Sequence, residues 1–162
     1  MTADTTALRI DVADLLTHAA ARRALHVEAQ VDALAGSGAR VPVEEPVVLD
    51  LVLERVSDGV VVRGTVRAVW RGACSVCLTD LEHAVTPAVS ELFEPEPLEG
   101  DTYPLEGHEI DLEQLVRDAV LLELPLAPTC EIAGRTPCEP DPIPDREPPP
   151  DPRWSALSEL DL

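Results

Sequence analysis

The sequence predicts an α+β fold: a mainly antiparallel β-sheet curled into a partly closed barrel, with one main helix and an extended Pro-rich C-terminal tail. Three observations carry that prediction. Two β-rich runs flank a Ser57-Asp58-Gly59 turn, a stretch at about residues 111–124 repeats apolar side chains at helical spacing, and prolines crowd residues 139–162.

In chain order, Leu8-Arg9-Ile10-Asp11-Val12 alternates apolar and polar side chains as a strand does, and Asp11 offers a carboxylate to cap a short turn of helix over residues 12–16. Residues 24–31 alternate again, with Leu25, Val27, Ala29 and Val31 on one side. A loop holding Gly36, Ser37 and Gly38 follows.

Residues 47–56 and 60–70 then form a β-hairpin around a turn whose glycine can take positive φ. Val47, Leu49, Leu51, Leu53 and Val56 of its first arm oppose Val48, Asp50, Val52 and Glu54, and Val62, Gly64, Val66, Ala68 and Trp70 of its second alternate with Arg63, Thr65, Arg67 and Val69, so one face is core and the other largely wet. After a turn over residues 71–78, residues 81–93 resume strand character and should pair back on the preceding arm, with Pro87 marking an edge or a bulge. Residues 94–108, rich in Pro, Gly and acid, fit no fold period and are expected to be a mobile loop.

The main helix has apolar residues at 112, 115, 116, 119 and 122, with Asp111 as N-cap and Pro125 as stop. Beyond Cys138, repeated prolines remove backbone donors and fix φ, which leaves an extended tail. It ends in a Trp154, Leu157, Leu160 turn that either docks on the body or recognises a partner.

Composition narrows the function classes. At 162 residues and 45% hydrophobic content, the chain has the size of one domain, expected over residues 1–138, with the acidic tail appended over residues 139–162. Aromatics are 2% of the total, so the core must be aliphatic. The 31 Asp and Glu against 12 Lys and Arg give a net charge of −19, which opposes nonspecific capture of phosphate backbones and favours basic partners. That charge also serves solubility alone. No run approaches the roughly 20 apolar residues of a membrane span, and the start Met1-Thr2-Ala3-Asp4 lacks a signal-peptide layout, so the expected location is the cytoplasm.

In such a compartment four cysteines point to metal binding or free thiols rather than to structural disulfides. Cys74-Ser75-Val76-Cys77 has the two-residue gap that lets both sulfurs face one tetrahedral ion, and Cys130 with Cys138 offers a second, looser pair across Gly134. Zinc held by all four competes with two other readings: ordinary reduced thiols, or a redox pair at Cys74 and Cys77. The redox reading lacks the helix N-terminus that lowers a catalytic thiol's pKa. His83 falls on the solvent face of its strand by alternation, and His18, His26 and His108 have no motif partner. No nucleophile elbow, phosphate-cradling glycine loop or fixed carboxylate pair is present in the sequence, so no catalysis is expected.

Taken together, the hairpin of residues 47–70, then Arg71-Gly72-Ala73-Cys74-Ser75-Val76-Cys77-Leu78, Glu91-Leu92-Phe93, Ile110-Asp111-Leu112 leading to Leu121-Leu122-Glu123-Leu124-Pro125, and Asp151-Pro152-Arg153-Trp154 resemble an actinobacterial-type YceD protein. That resemblance implies a non-enzymatic role in accumulation or maturation of large-subunit ribosomal RNA. It also implies a gene-neighbourhood tie to a small zinc-binding protein of the large ribosomal subunit. Many relatives carry four cysteines after the helix; the corresponding positions here are Cys130, Gly134, Cys138 and Asp141. Two ligands are missing, so a site confined to the tail is excluded, and a joint site with Cys74 and Cys77, or none, remains.

The favoured function is an acidic factor that binds a basic ribosomal or assembly protein and touches ribosomal RNA only indirectly or weakly. Its rivals are a zinc-stabilised RNA-binding module using Arg63, Arg67 and Arg71, which share a strand face, and a thiol oxidoreductase at Cys74 and Cys77.

Overall fold

The computed structural model describes residues 5–140 apart from Asp58, so the Pro-rich tail from residue 141 and its Trp154 turn lie outside the described residues. A 3-10 turn, Thr5–Leu8, leads into β1 (Arg9–Asp11), α1 (Ala13–Thr17), β2 (Arg22–Ala29), β3 (Ala39–Arg40), β4 (Val47–Val56) and β5 (Gly59–Ala73). Then come β6 (Asp80–Val85), β7 (Ala88–Glu94), β8 (Tyr103–Glu106), β9 (Glu109–Asp111) and α2 (Glu113–Glu123). The strand order is β1-β9-β8-β7-β5-β4-β2, with β3 and β6 also pairing with β5. Every pairing is antiparallel except β7 with β8. The sheet curls into a half-barrel, so the α+β expectation with one main helix holds.

Strand β5 organises that curl. On one side it pairs with β4 and then β3, on the other with β7 and then β6. A strand shared in this way must bend, and it carries Gly64 midway, where an added Cβ would collide with the Asp50 carbonyl. The β4–β5 hairpin forms as predicted. A positive φ does occur in its turn, at Ser57 (31°), while Gly59 meets a second demand: the Phe93 carbonyl occupies the space a Cβ would need. Alternation sets the core, since Val47, Leu49, Leu51, Leu53, Val62, Val66, Ala68 and Trp70 are buried, whereas Asp50, Arg63 and Arg67 are exposed.

Three expectations need correction. Residues 81–93 form two strands rather than one, separated at Thr86-Pro87, yet both keep a single register against β5. Pro87 lacks a backbone donor and so interrupts the ladder without adding a bulge; its carbonyl still accepts from the Val66 N–H at 3.0 Å. Residues 94–108 are not one long loop, because β8 pairs with β7 and β9 within them. Tyr103 stacks on Phe93 with ring centroids 5.2 Å apart and Leu105 is buried, and these contacts fix what the local composition would leave loose.

The third correction concerns α2, which begins at Glu113 rather than at 111. Ile110 and Asp111 belong to β9, but the Asp111 carboxylate still caps the helix by accepting the Glu113 N–H at 2.9 Å. The buried face is Leu112, Leu115, Val116 and Val120; Leu122, assigned to it by spacing, is 86% exposed. At the other end Asp11 likewise accepts the Ala13 N–H at 2.8 Å to start α1. Among the described residues, no helix is long and apolar enough to cross a membrane.

Candidate metal centre

Cys74, Cys77, Cys130 and Cys138 converge, with all four sulfurs within 4.8 Å of one another. Cys74 Sγ lies 3.5 Å from Cys138 Sγ, and Cys77 Sγ lies 3.6 Å from Cys130 Sγ. Four thiolates at about 2.3 Å from a tetrahedral zinc ion would sit about 3.8 Å apart, so the donor set and its spacing fit that metal.

Two structural pieces build the centre. The first is the tight turn joining β5 to β6, where Cys74 N–H donates to Thr79 O and Leu78 N–H to Cys74 O, both at 2.9 Å. Inside this turn the Val76 N–H points at Cys74 Sγ at 3.4 Å, and Leu78 is held in the left-handed region at φ 61°. The second is the segment after α2. There Ala133 N–H donates to Thr129 O and Arg135 N–H to Cys130 O, and Gly134 turns the chain at φ 69°.

Pro128 locks the two pieces together. Its carbonyl accepts the Ser75 N–H at 2.8 Å, and its ring sits against Gly38 and Gly72, positions where a Cβ would crowd it. A second tie runs from the Arg135 guanidinium to the Asp80 carbonyl at 3.2 Å. The spacing of the four cysteines offers them as one ligand set among other readings, whereas nothing in the sequence marks Gly38, Gly72 and Pro128 as their support. Only the proline preceding Thr129-Cys130 hints locally at a fixed approach.

The electrostatics of the centre split the thiols. The Cys77 backbone N–H above all, with that of Val76, pulls Cys74 down to about 6, and the Thr79 hydroxyl lowers Cys77. Contact with Cys138 and Cys77 pushes Cys130 up to about 12, and burial raises Cys138. So many soft donors this close cannot all be anionic unless a cation shares the charge. Cys74 and Cys130 are buried and Cys77 is the most exposed of the four.

The other residues singled out in the sequence stay apart from this cluster. His83 is exposed as expected; its ring packs edge-on against Trp70 with centroids 6.3 Å apart and lies beside Gly134. Arg63, Arg67 and Arg71 do share a face of β5, but Arg71 is ringed by Glu82, Glu45 and Glu44 at 2.6, 2.8 and 3.4 Å, which neutralises it. Arg63 reaches Ser90.

A protein of Mycobacterium tuberculosis (strain ATCC 25618 / H37Rv) and one of Mycobacterium bovis, both described only as uncharacterized, are each 38% identical to the chain over 125 residues, covering 69% of it. An uncharacterized protein of Mycobacterium leprae is 41% identical over 93 residues, 52% of the chain. The chain spans 60% of the length of the first two relatives and 42% of the third. No solved structure matches it. The family model described as "Large ribosomal RNA subunit accumulation protein YceD" matches residues 62–161, a stretch that holds all four cysteines, β6 to β9 and α2. The chain therefore belongs to the YceD family, whose description ties it to accumulation of large-subunit ribosomal RNA.

Proposed function

We propose that the protein is a non-enzymatic, zinc-stabilised acidic factor of ribosome biogenesis in the cytoplasm, which supports large-subunit ribosomal RNA by binding a basic ribosomal or assembly protein. The observation that carries this reading is the net charge of −19, joined to the family's description. A surface of that sign attracts cationic protein, speeds encounter with it and repels bare polyphosphate. The neutralised Arg71 weighs against the rival RNA-binding module, since one of its three cations is already satisfied within the fold.

Cys74, Cys77, Cys130 and Cys138 are the residues that would hold zinc, and the ion would supply structural cross-linking. Four thiolates complete a tetrahedral shell and leave no position open for water or substrate, the pattern of structural rather than catalytic zinc. The centre ties the β5–β6 turn to the segment after α2 and so fixes the far end of the curled sheet.

The test is a pull-down of basic large-subunit ribosomal proteins by the full chain at increasing salt, beside a filter-binding assay with large-subunit RNA. Binding to the proteins should weaken steeply as salt rises while bare RNA is not retained. Tight retention of bare RNA at physiological ionic strength, or protein binding indifferent to salt, would overturn the reading.

A further inference from the structure

We infer that the outer edge of the β6–β7 arm takes up an extended basic segment of a partner protein as an added strand, in the hollow between that edge and α2. The inference rests on the acidic-factor reading and assigns it a place on the molecule.

Among the described residues the edge is open: strand β6 pairs with β5 alone, and β7 pairs beyond β5 only at Phe93 and Glu94, where β8 begins. Because the Val66 N–H donates to the Pro87 carbonyl, alternation in an antiparallel ladder turns the backbone of Val89 and Glu91 toward β5. The N–H and C=O groups of Ala88 and Ser90 then face outward, and among the described residues no strand pairs with them. Proline commonly guards such edges, but the donor Pro87 lacks is one that would face β5, so it leaves the outward row intact.

The opposite wall, α2, sets an apolar row beside Gln114 and Asp118. Leu115, Ala119 and Leu122 of α2 form one row along the hollow, and Leu122 is 86% exposed at its end. Leu115 and Ala119 pack against the core, and Leu122, at the end of the row, is the member left uncovered among the described residues. The hollow beside it has a volume of about 610 Å³. Past Pro87 and Ala88 it meets a second hollow of about 450 Å³, lined by Trp70, His83, Pro125 and Ile132. Trp70 is fully buried, and its indole N–H is the buried side-chain polar atom left without a partner among the described residues.

Charge chooses the occupant. Glu91, Asp101 and Asp118 line the first hollow, and no Arg or Lys lines either one. Asp118 is occupied by Tyr103 and Gln114, whereas Glu91 and Asp101 have no cationic partner among the described residues. The chain's own residues 141–162 carry 6 acidic side chains against 2 arginines and are repelled by these groups. An extended cationic segment meets both demands: ladder hydrogen bonds for the edge and positive charge for its rim.

The experiment uses the full chain and two peptides of equal charge, one alternating Lys with Val and the other alternating Lys with Pro and N-methylated at every Lys, the second therefore without any backbone N–H to donate to a ladder. The Lys-Val peptide should bind at least about tenfold tighter, slow hydrogen exchange at Ala88 and Ser90, and weaken at least about tenfold when Glu91→Lys and Asp101→Lys are combined. Equal binding of both peptides without protection at Ala88 and Ser90 overturns the inference yet leaves a diffuse acidic factor standing, since the pull-down above tests that separately. Binding by neither peptide also overturns it. Strong protection of the same amides before any peptide is added would mean that the chain's own tail fills the edge, and the inference fails.

Discussion

Cys77 and Cys130, separated by 53 positions in the chain, bring their sulfurs within 3.6 Å of each other. Only tertiary structure closes that gap, so a metal bound there holds the molecule together as well as its own loops. One zinc per chain is expected by metal analysis of protein purified under reducing conditions. Cys130→Ser should lower zinc affinity by more than the about 10–100-fold typical of losing an outer-shell partner. Chelator should lower the melting temperature of the parent chain and leave the already loosened variant little changed. A melting temperature indifferent to chelator in the zinc-loaded parent would remove the centre from the stability argument.

Gly72→Ala tests the support behind the ligands. An added Cβ would press on the Gly38 carbonyl and come within 3.3 Å of the Pro128 ring, and Pro128 precedes Cys130 by two residues. Backbone cannot yield as a flexible side chain can, so a loss of about 1–3 kcal/mol is expected in denaturant melts. Zinc affinity should fall with it, although no ligand is altered. Destabilisation with unchanged affinity would show that Pro128 does not position Cys130.

Leu78→Gly should do the reverse. Leu78 is held at φ 61° and its side chain is 77% exposed, so the substitution relieves strain while giving up little buried surface. Left-handed backbone costs an L-residue about 1–2 kcal/mol, against which glycine's extra freedom in the unfolded chain offsets about 0.5–1 kcal/mol. A net gain of about 0.5–1 kcal/mol is expected from the denaturation midpoint at constant slope.

The sheet was most legible where burial follows the chain's own period. Leu49, Leu51 and Leu53 opposite Val62 and Val66 announce a hairpin because each side chain's face depends only on its parity. Strand β8 was not legible, because Pro104 and the surrounding acids resemble a loop, and Tyr103 is ordered by stacking on Phe93, outside any short window. The cysteines divide likewise. Cys74 and Cys77 are paired by a spacing visible in the sequence, whereas Cys130 and Cys138 reach them only through Pro128 seated on Gly38 and Gly72. Leu122 was misplaced for a related reason: helical period gives the face a residue occupies, but not where the sheet beneath it ends.

His26 offers a titration that is independent of the metal. Its Nδ1 lies 2.6 Å from an Asp50 carboxylate oxygen across the β2–β4 pair, and Glu28 approaches Nε2 at 3.8 Å. The hydrogen bond to Asp50 and then its charge raise the His26 pKa above 6.5. A group whose pKa is higher in the folded state stabilises fully below its unfolded value, and that contribution disappears as pH climbs through the raised one. The imidazole titration followed by NMR should therefore have its midpoint above 6.5 in the parent and move down in Asp50→Asn. Because both side chains are exposed, added salt should shrink the difference between the two. A midpoint unmoved by Asp50→Asn at low salt would mean that the net charge of −19, and not this partner, sets the protonation of His26.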